Sequence, residues 1–324
     1  MFDLITIVTP PLTDDKIDYI VWRNGLQTNS RDGAVFYDNI DTKNLKQQKG
    51  IYVKIETNRR LKAEGSLHKY HNEISGNDRN NYNMFSMSQA KATIDSLLYD
   101  KGIGSEDARI YSYEIGLNLN LSKDCRTFLD KIKSIGAMGN EKVLWNNPKF
   151  KNERMKVTEF HTNIRKYFKV YDKVFESMDK KRKVMPEGNI LRIETVNRRL
   201  SNCSIIDFFS PDNLHKMVEA FFRDWRTIQF QQDIITPKGT GRAKQMLCLE
   251  IMNKGKHEVL KQAKDRHNTG SLTDWEHRNI REFVTKEWDE VKKYITFIQS
   301  EEEKEFRQLL QVNHTILKHD EINK

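Results

Sequence analysis

Apolar and polar positions alternate with two different periods along this chain, and the change of period divides it. FDLITIVTP reads as a buried strand, and TDDKIDYIVWRNGL as a helix with Thr13 at its cap and acids in its first turn. AVFYDNI and IYVKIETNRRL follow as strands; in the second, Val53 and Ile55 alternate with Lys54 and Glu56. GSLHKYHNEISGNDRNNYN has no apolar period and is expected to be a polar loop. SMSQAKATIDSLLYDKG predicts an amphipathic helix, capped by Ser86 or Ser88 and closed at Gly102. ARIYSYEIGLNLNL has the strongest strand pattern. Tyr111, Tyr113, Ile115, Leu117 and Leu119 face one way; Ser112, Glu114, Gly116, Asn118 and Asn120 face the other. A helix near Arg126–Ile135 and a strand near Met155–Thr162 come next.

The stretch Arg165–Leu200 organises the rest. In RKYFKVYDK, alternation puts Phe168, Val170 and Asp172 on one face, with Tyr167, Lys169, Tyr171 and Lys173 on the other. In ILRIETV, Leu191 and Ile193 turn inward, opposite Arg192 and Glu194. KIETNRRL at Lys54–Leu61 nearly repeats as RIETVNRRL at Arg192–Leu200. A duplicated unit with pseudo-symmetric halves would produce this echo, as would chance similarity of two short basic strands.

Beyond Ile205 the period becomes helical, in SPDNLHKMVEAFFRDWRTIQF, GRAKQMLCLEIMNKG and a run from Leu272 to Leu310. The fold class expected is therefore α+β. An antiparallel-sheet catalytic domain would occupy residues 1–208, and a helical DNA-binding region residues 209–324. A net charge of +9 and a pI near 9.2 point to a polyanionic partner, with nucleic acid leading. Cys125, Cys203 and Cys248 are scattered and lack CxxC spacing, which suits a reducing compartment and no structural zinc. Neither a secretory leader nor a membrane-spanning run is legible, so a cytoplasmic location is expected. No GxxxxGK[ST] motif is present, which disfavours a nucleotide-hydrolysing helicase.

The chemistry lies on the polar faces of these strands. Glu56, Glu114 and Glu194 would converge if their strands are neighbours, offering oxygen ligands to Mg²⁺ or Mn²⁺. Cross-strand salt bridges are the alternative reading of the same residues. Tyr167 and Tyr171 supply phenols, which need an adjacent cation to ionise at neutral pH; Lys169 and Lys173 flank them. No pair of histidines around a hydrophobic residue occurs. His68 and His71 are spaced too widely, and His161 is isolated.

Four segments in order carry a resemblance: VKIETNRRLKAEGSLHKYHN, YSYEIGLNL, VTEFHTNIRKYFKVYDKVFE and ILRIETVNRRL. Together they resemble the filamentous-phage gene II/X replication proteins and their plasmid relatives, which initiate rolling-circle replication. The resemblance implies a site-specific DNA endonuclease and strand transferase. Tyr171 would attack a phosphodiester at the origin, form a 5′-phosphotyrosine and release a 3′-hydroxyl, and a second transesterification would later rejoin the strand. Lys173 would assist, Tyr167 offers a second phenol, and Glu114 and Glu194, with Glu56, would bind the metal. Glu114 departs from the family pattern, where an Asp is commoner. DNA would be the partner, with a host helicase and polymerase and a homodimer left open. Two other readings are a non-catalytic origin-binding or copy-control protein and a mobilisation relaxase.

Overall fold

The computed structural model describes residues 2–31, 33–39, 50–137, 139–147, 153–159, 161, 163–231 and 233–319. In chain order the first elements are β1 (Phe2–Pro11), α1 (Asp14–Asn24), β2 (Gln27–Arg31), β3 (Ala34–Asp38), β4 (Tyr52–Ile55), β5 (Arg60–Ser66), α2 (Leu67–Ile74) and α3 (Met87–Lys101). Then come β6 (Arg109–Leu121), α4 (Cys125–Lys131), the short hairpin β7 (Ile132–Ile135) and β8 (Lys142–Val143), β9 (Trp145–Asn146), β10 (Met155–Val157), β11 (Lys166–Asp172), α5 (Lys173–Asp179) and β12 (Asn189–Ser204). Helices α6 (Ile205–Phe208) and α7 (Pro211–Arg226) follow. The later helices are α8 (Arg242–Lys254), α9 (Lys256–Asn268), α10 (Asp274–Glu282), α11 (Trp288–Val291) and α12 (Glu301–Lys318).

Ten strands form one antiparallel sheet in the order β2-β3-β4-β5-β1-β6-β12-β11-β10-β9. The order reads as two copies of one plan. A first strand (β1, β6) leads to a helix (α1, α4), and a four-strand meander returns its last strand (β5, β12) beside the first. The pseudo-symmetric halves expected from the sequence are present in this topology. The echo that suggested them is not aligned with it. The first KIE ends β4, whose counterpart is β11, whereas RIE lies in β12. The two segments are similar without being equivalent.

Local chemistry explains the element ends. Ser86 and Gln89 form a capping box on α3, and Gly102 closes that helix in the left-handed region, as expected. The segment expected as a loop from Gly65 instead contains α2. Ser66 accepts from the Lys69 backbone N–H, and Leu67, His68 and Tyr70 pack inward, so a cap and a short buried face suffice. The helix expected to reach Ile135 stops at Lys131, because Ile132–Ile135 pairs as a strand. Of the strand expected near Met155–Thr162, Met155–Val157 forms β10, while Phe160 and Thr162 lie outside the described residues, as does Ile40 of AVFYDNI.

The chain forms two compact units, Met1–Gln229 with Glu305–Lys324, and Phe230–Lys304. This division does not coincide with residue 208, because α7 belongs to the sheet. Trp225 is fully buried, crosses the Phe168 ring edge-on at 5.7 Å between centroids and donates its indole N–H to Thr195 Oγ1. The second unit packs around Cys248, Ile251, Val259, Phe283, Val284 and Trp288. It holds 14 Lys and Arg against 13 Asp and Glu, so nearly all the positive excess of the chain sits in the first unit. The long helical run expected from Leu272 to Leu310 is broken into α10, a π-turn, α11, a strand at Thr296–Ile298 and α12.

Candidate functional site

Strand register assembles three rows of side chains on the sheet face opposite α7. Tyr171, Arg192 and Asn118 pair across β11, β12 and β6; next to them come Lys169, Glu194 and Gly116, then Tyr167, Val196 and Glu114. The polar face read from alternation is therefore real, and neighbouring strands bring its members together. Gly116 makes room. A Cβ there would meet the Arg192 guanidinium, with Nη2 at 2.6 Å and Cζ at 2.9 Å.

Arg192 and Glu194 are the buried centre. The guanidinium donates from Nε to Glu194 Oε1 (2.6 Å), from Nη1 to Asn118 Oδ1 (2.9 Å) and from Nη2 to Asp3 Oδ2 (2.8 Å). Asp3 also accepts from Ser66 Oγ and Asn81 Nδ2. Glu194 Oε1 also accepts from the Tyr171 hydroxyl at 2.8 Å, and its other oxygen, Oε2, takes Lys169 Nζ at 2.7 Å. Buried charges survive only when paired and bonded in this way. Burial alone would raise the Glu194 carboxyl, but Lys169 and Arg192 outweigh it and hold it at about 2. Glu114 lies at the more accessible end of the network, with Lys169 Nζ at 3.1 Å. Its carboxyl is raised, by burial first, with Glu194 adding to the effect against the pull of Lys169.

The two phenols differ. Tyr171 donates to a carboxylate, and burial followed by the Glu194 charge pushes it well above its ordinary value. The Tyr167 oxygen instead accepts from Arg198 Nη2 at 2.9 Å, and that guanidinium stands 4.8 Å from the ring centroid. Tyr167 is also raised, by burial first, with Glu114 and Glu194 adding to the effect against the pull of Lys169 and Arg198. Hydrogen bonding thus disfavours phenolate at Tyr171 and favours it at Tyr167.

Lys173 is not on the strand face where alternation put it. Asp172 ends β11 and caps α5, accepting from the Phe175 N–H at 3.0 Å, so Lys173 becomes a helical residue. Its buried ammonium pairs with Glu176 at 2.9 Å and stands 5.7 Å from the centroids of the Tyr171 and Tyr82 rings, facing the π-systems. Glu56 follows β4, four strand spacings from β12, or roughly 19 Å. It faces Lys54 at 3.9 Å and takes no part in the network. The three glutamates therefore do not converge. Among the described residues no group of three or more His, Cys, Asp or Glu is arranged to hold a metal ion. The Lys169 ammonium stands between Glu114 and Glu194, where a shared cation would have to sit, so the side chains as arranged do not fit Mg²⁺ or Mn²⁺. His68 is structural: it stacks on Phe85 at 4.7 Å, bonds Asn83, and burial lowers it to about 3. The His161 ring faces Glu159, at 3.2 Å on the surface.

Residues missed in the sequence include Asp3, Asn118 as a guanidinium acceptor, and Arg198. Asp3 had a signal, being the one charged residue of the opening strand. Arg198 had none, because its value depends on which strand lies beside β12.

No family model matches the chain, and no curated protein matches it. A solved structure of a rolling circle replication initiator protein from Geobacillus stearothermophilus is similar over 75% of this chain and 89% of that one, with a TM-score of 0.41 and 12% identity. A likeness this loose carries no argument, and the functional reading rests on the site itself. No helix among the described residues is long and apolar enough to cross a membrane.

Proposed function

We propose that this protein is a DNA strand transferase of the rolling-circle initiator type, which nicks and rejoins one strand at an origin through a phosphotyrosine. The observation that carries the reading is a phenol oxygen held by a guanidinium, Tyr167 with Arg198, in the same row as a carboxyl of raised proton affinity, Glu114. In this reading Tyr167 Oη attacks phosphorus as its proton passes to Glu114; a 5′-phosphotyrosyl bond forms, the P–O3′ bond breaks, and the departing 3′-oxygen takes a proton from water to become the 3′-hydroxyl. Arg198 is placed to neutralise charge on the phosphoryl oxygens. The released 3′-hydroxyl primes synthesis, and the reverse attack rejoins a strand without a nucleotide cofactor. Tyr171 and Lys173, expected to be catalytic, act here as positioning residues. Tyr171 fixes Glu194 by its hydrogen bond, and Lys173 packs beneath the phenol ring.

The test uses single-stranded oligonucleotides tiling the DNA of the protein's own genetic element, with a protein–DNA adduct sought on a denaturing gel. An adduct with the wild type, lost in Tyr167→Phe and kept in Tyr171→Phe, is expected. Loss in Tyr171→Phe alone would move the nucleophile to that residue. Salt-sensitive binding without any adduct would favour the origin-binding reading. Chelation tests the cation. Adduct formed in EDTA assigns charge neutralisation to Arg198 and Lys169, whereas a strict need for Mn²⁺ requires Lys169 to leave its place between the glutamates.

A further inference from the structure

Three cavities in the first unit share lining residues and run on from one another. One, of about 250 Å³, lies where β11 begins and β12 kinks, lined by Arg165, Lys166, Asn197, Arg198 and Arg199 among others. Lys166 and Asn197 also line a second, of about 130 Å³, beneath α7. Lys216 and Ala220 carry the second into a third, of about 630 Å³, where Arg223 of α7 and Lys318 of α12 join the wall. The series starts at Arg198, the residue that holds the Tyr167 oxygen, and passes over the strand ends to the opposite face of the sheet.

Its charge is unusual. Arg165, Arg199, Lys216, Arg223 and Lys318 are exposed, and none of their side chains makes a hydrogen bond or ion pair with any described residue. The acids along the path are already engaged, Asp224 by Lys166 at 2.5 Å and Glu219 by His314 at 2.9 Å. The backbone at the entrance is also specialised. Arg199 holds φ at 56°, in the left-handed region, and the pairing of β12 with β6 shifts register between Arg198 and Cys203. Irregularities of this kind re-aim side chains, and non-glycine residues keep such conformations where the surroundings enforce them.

We propose that these cavities form a track for the phosphate backbone of single-stranded DNA, leading to or from the Tyr167 site. The proposal deepens the strand-transferase reading and rests on it for direction only. Unpaired cations at intervals along a groove match phosphodiesters by charge. The turn over the end of the sheet selects a flexible single strand, because duplex DNA is stiff over about 150 base pairs and cannot follow it.

The experiment compares the full-length wild type with K216Q/R223Q/K318Q, whose altered side chains are exposed and remote from the reacting groups. Binding is read by fluorescence anisotropy of an oligothymidylate of about 20 nucleotides and of a duplex of equal length, across a salt series. The single-strand affinity should fall at least about tenfold, and the slope of log affinity against log salt should become shallower by about 2 for three lost phosphate contacts. Duplex affinity should change much less, and thermal unfolding should not change. Unaltered single-strand affinity and slope in the variant would overturn the track, as would equal losses for both DNA forms or no single-strand binding by the wild type. The gel assay on an oligonucleotide confined to the scissile site keeps the two ideas apart. An adduct with unchanged oligothymidylate binding sinks the track alone, whereas track-dependent binding with no adduct sinks the catalytic reading alone.

Discussion

The two halves of the sheet share a topology and differ in what they do with their polar residues. In the first half Lys62 pairs with Glu64, each about one-third exposed, and Lys54 faces Glu56 at 3.9 Å. In the second half Lys169, Arg192 and Glu194 form a network in which the guanidinium and central carboxylate are each 3% exposed at the side chain. Charge pairs on one scaffold therefore come in two kinds. Pairs wetted by solvent contribute little, because water already satisfies both ions. The buried set is enclosed by Asp3 from the other half, by Asn118 and by the Asn81–Tyr82 segment, whose carbonyls accept from Asn118. There each ion depends on the others.

Glu194→Gln should expose the difference most sharply. It leaves Lys169 and Arg192 with one carboxylate fewer and should cost about 3–5 kcal/mol in urea unfolding, against less than about 1 kcal/mol for Glu64→Gln. Equal losses would mean that the halves are energetically alike. The gap should also depend on pH. Glu194 is held at about 2 in the folded chain, below its unfolded value of about 4.3. Its contribution is then complete above about pH 4.3 and lost as pH falls toward 2, so wild type and Glu194→Gln should converge in stability across that window. A constant difference from pH 5 to pH 2 would contradict the assignment.

Glycine substitutions give a smaller contrast. Gly116→Ala drives a Cβ into a guanidinium fixed by three partners and should cost about 1–3 kcal/mol. Gly65→Ala meets the terminal Cδ1 of Ile51 at 2.7 Å, a methyl that can turn aside, and should cost less. Thermal unfolding of the pair decides it, and the reverse order would show that the Arg192 arm is free to move. The smallest effect belongs to Lys62→Gln, within about 0.5 kcal/mol of wild type by the same measurement.

Much of this was legible because strands announce their faces. The alternation in YSYEIGLNL, KYFKVYD and LRIET placed Glu114, Lys169, Tyr171, Arg192 and Glu194 on polar faces without any knowledge of their neighbours. Reading Lys173 onto the same face failed because Asp172, an acid at the end of a strand, acts as a helix cap. Grouping Glu56 with Glu114 and Glu194 failed for a different reason. Polar-face glutamates on three strands say nothing of strand order, and β5, β1 and β6 intervene.

By itself the sequence determined where the long central strands lie, which side of them is polar, and that the chain carries a positive excess, since these follow from local periodicity and composition. Strand order and register belong to the tertiary structure alone. They decided that Tyr171 faces a carboxylate while Tyr167 faces a guanidinium, that Lys169 stands between two glutamates, and that α7 and α12 lie with the sheet. The reason is physical. A side chain's proton affinity and reactivity depend on the charges and dielectric within a few ångströms, and those neighbours come from residues far away in the chain.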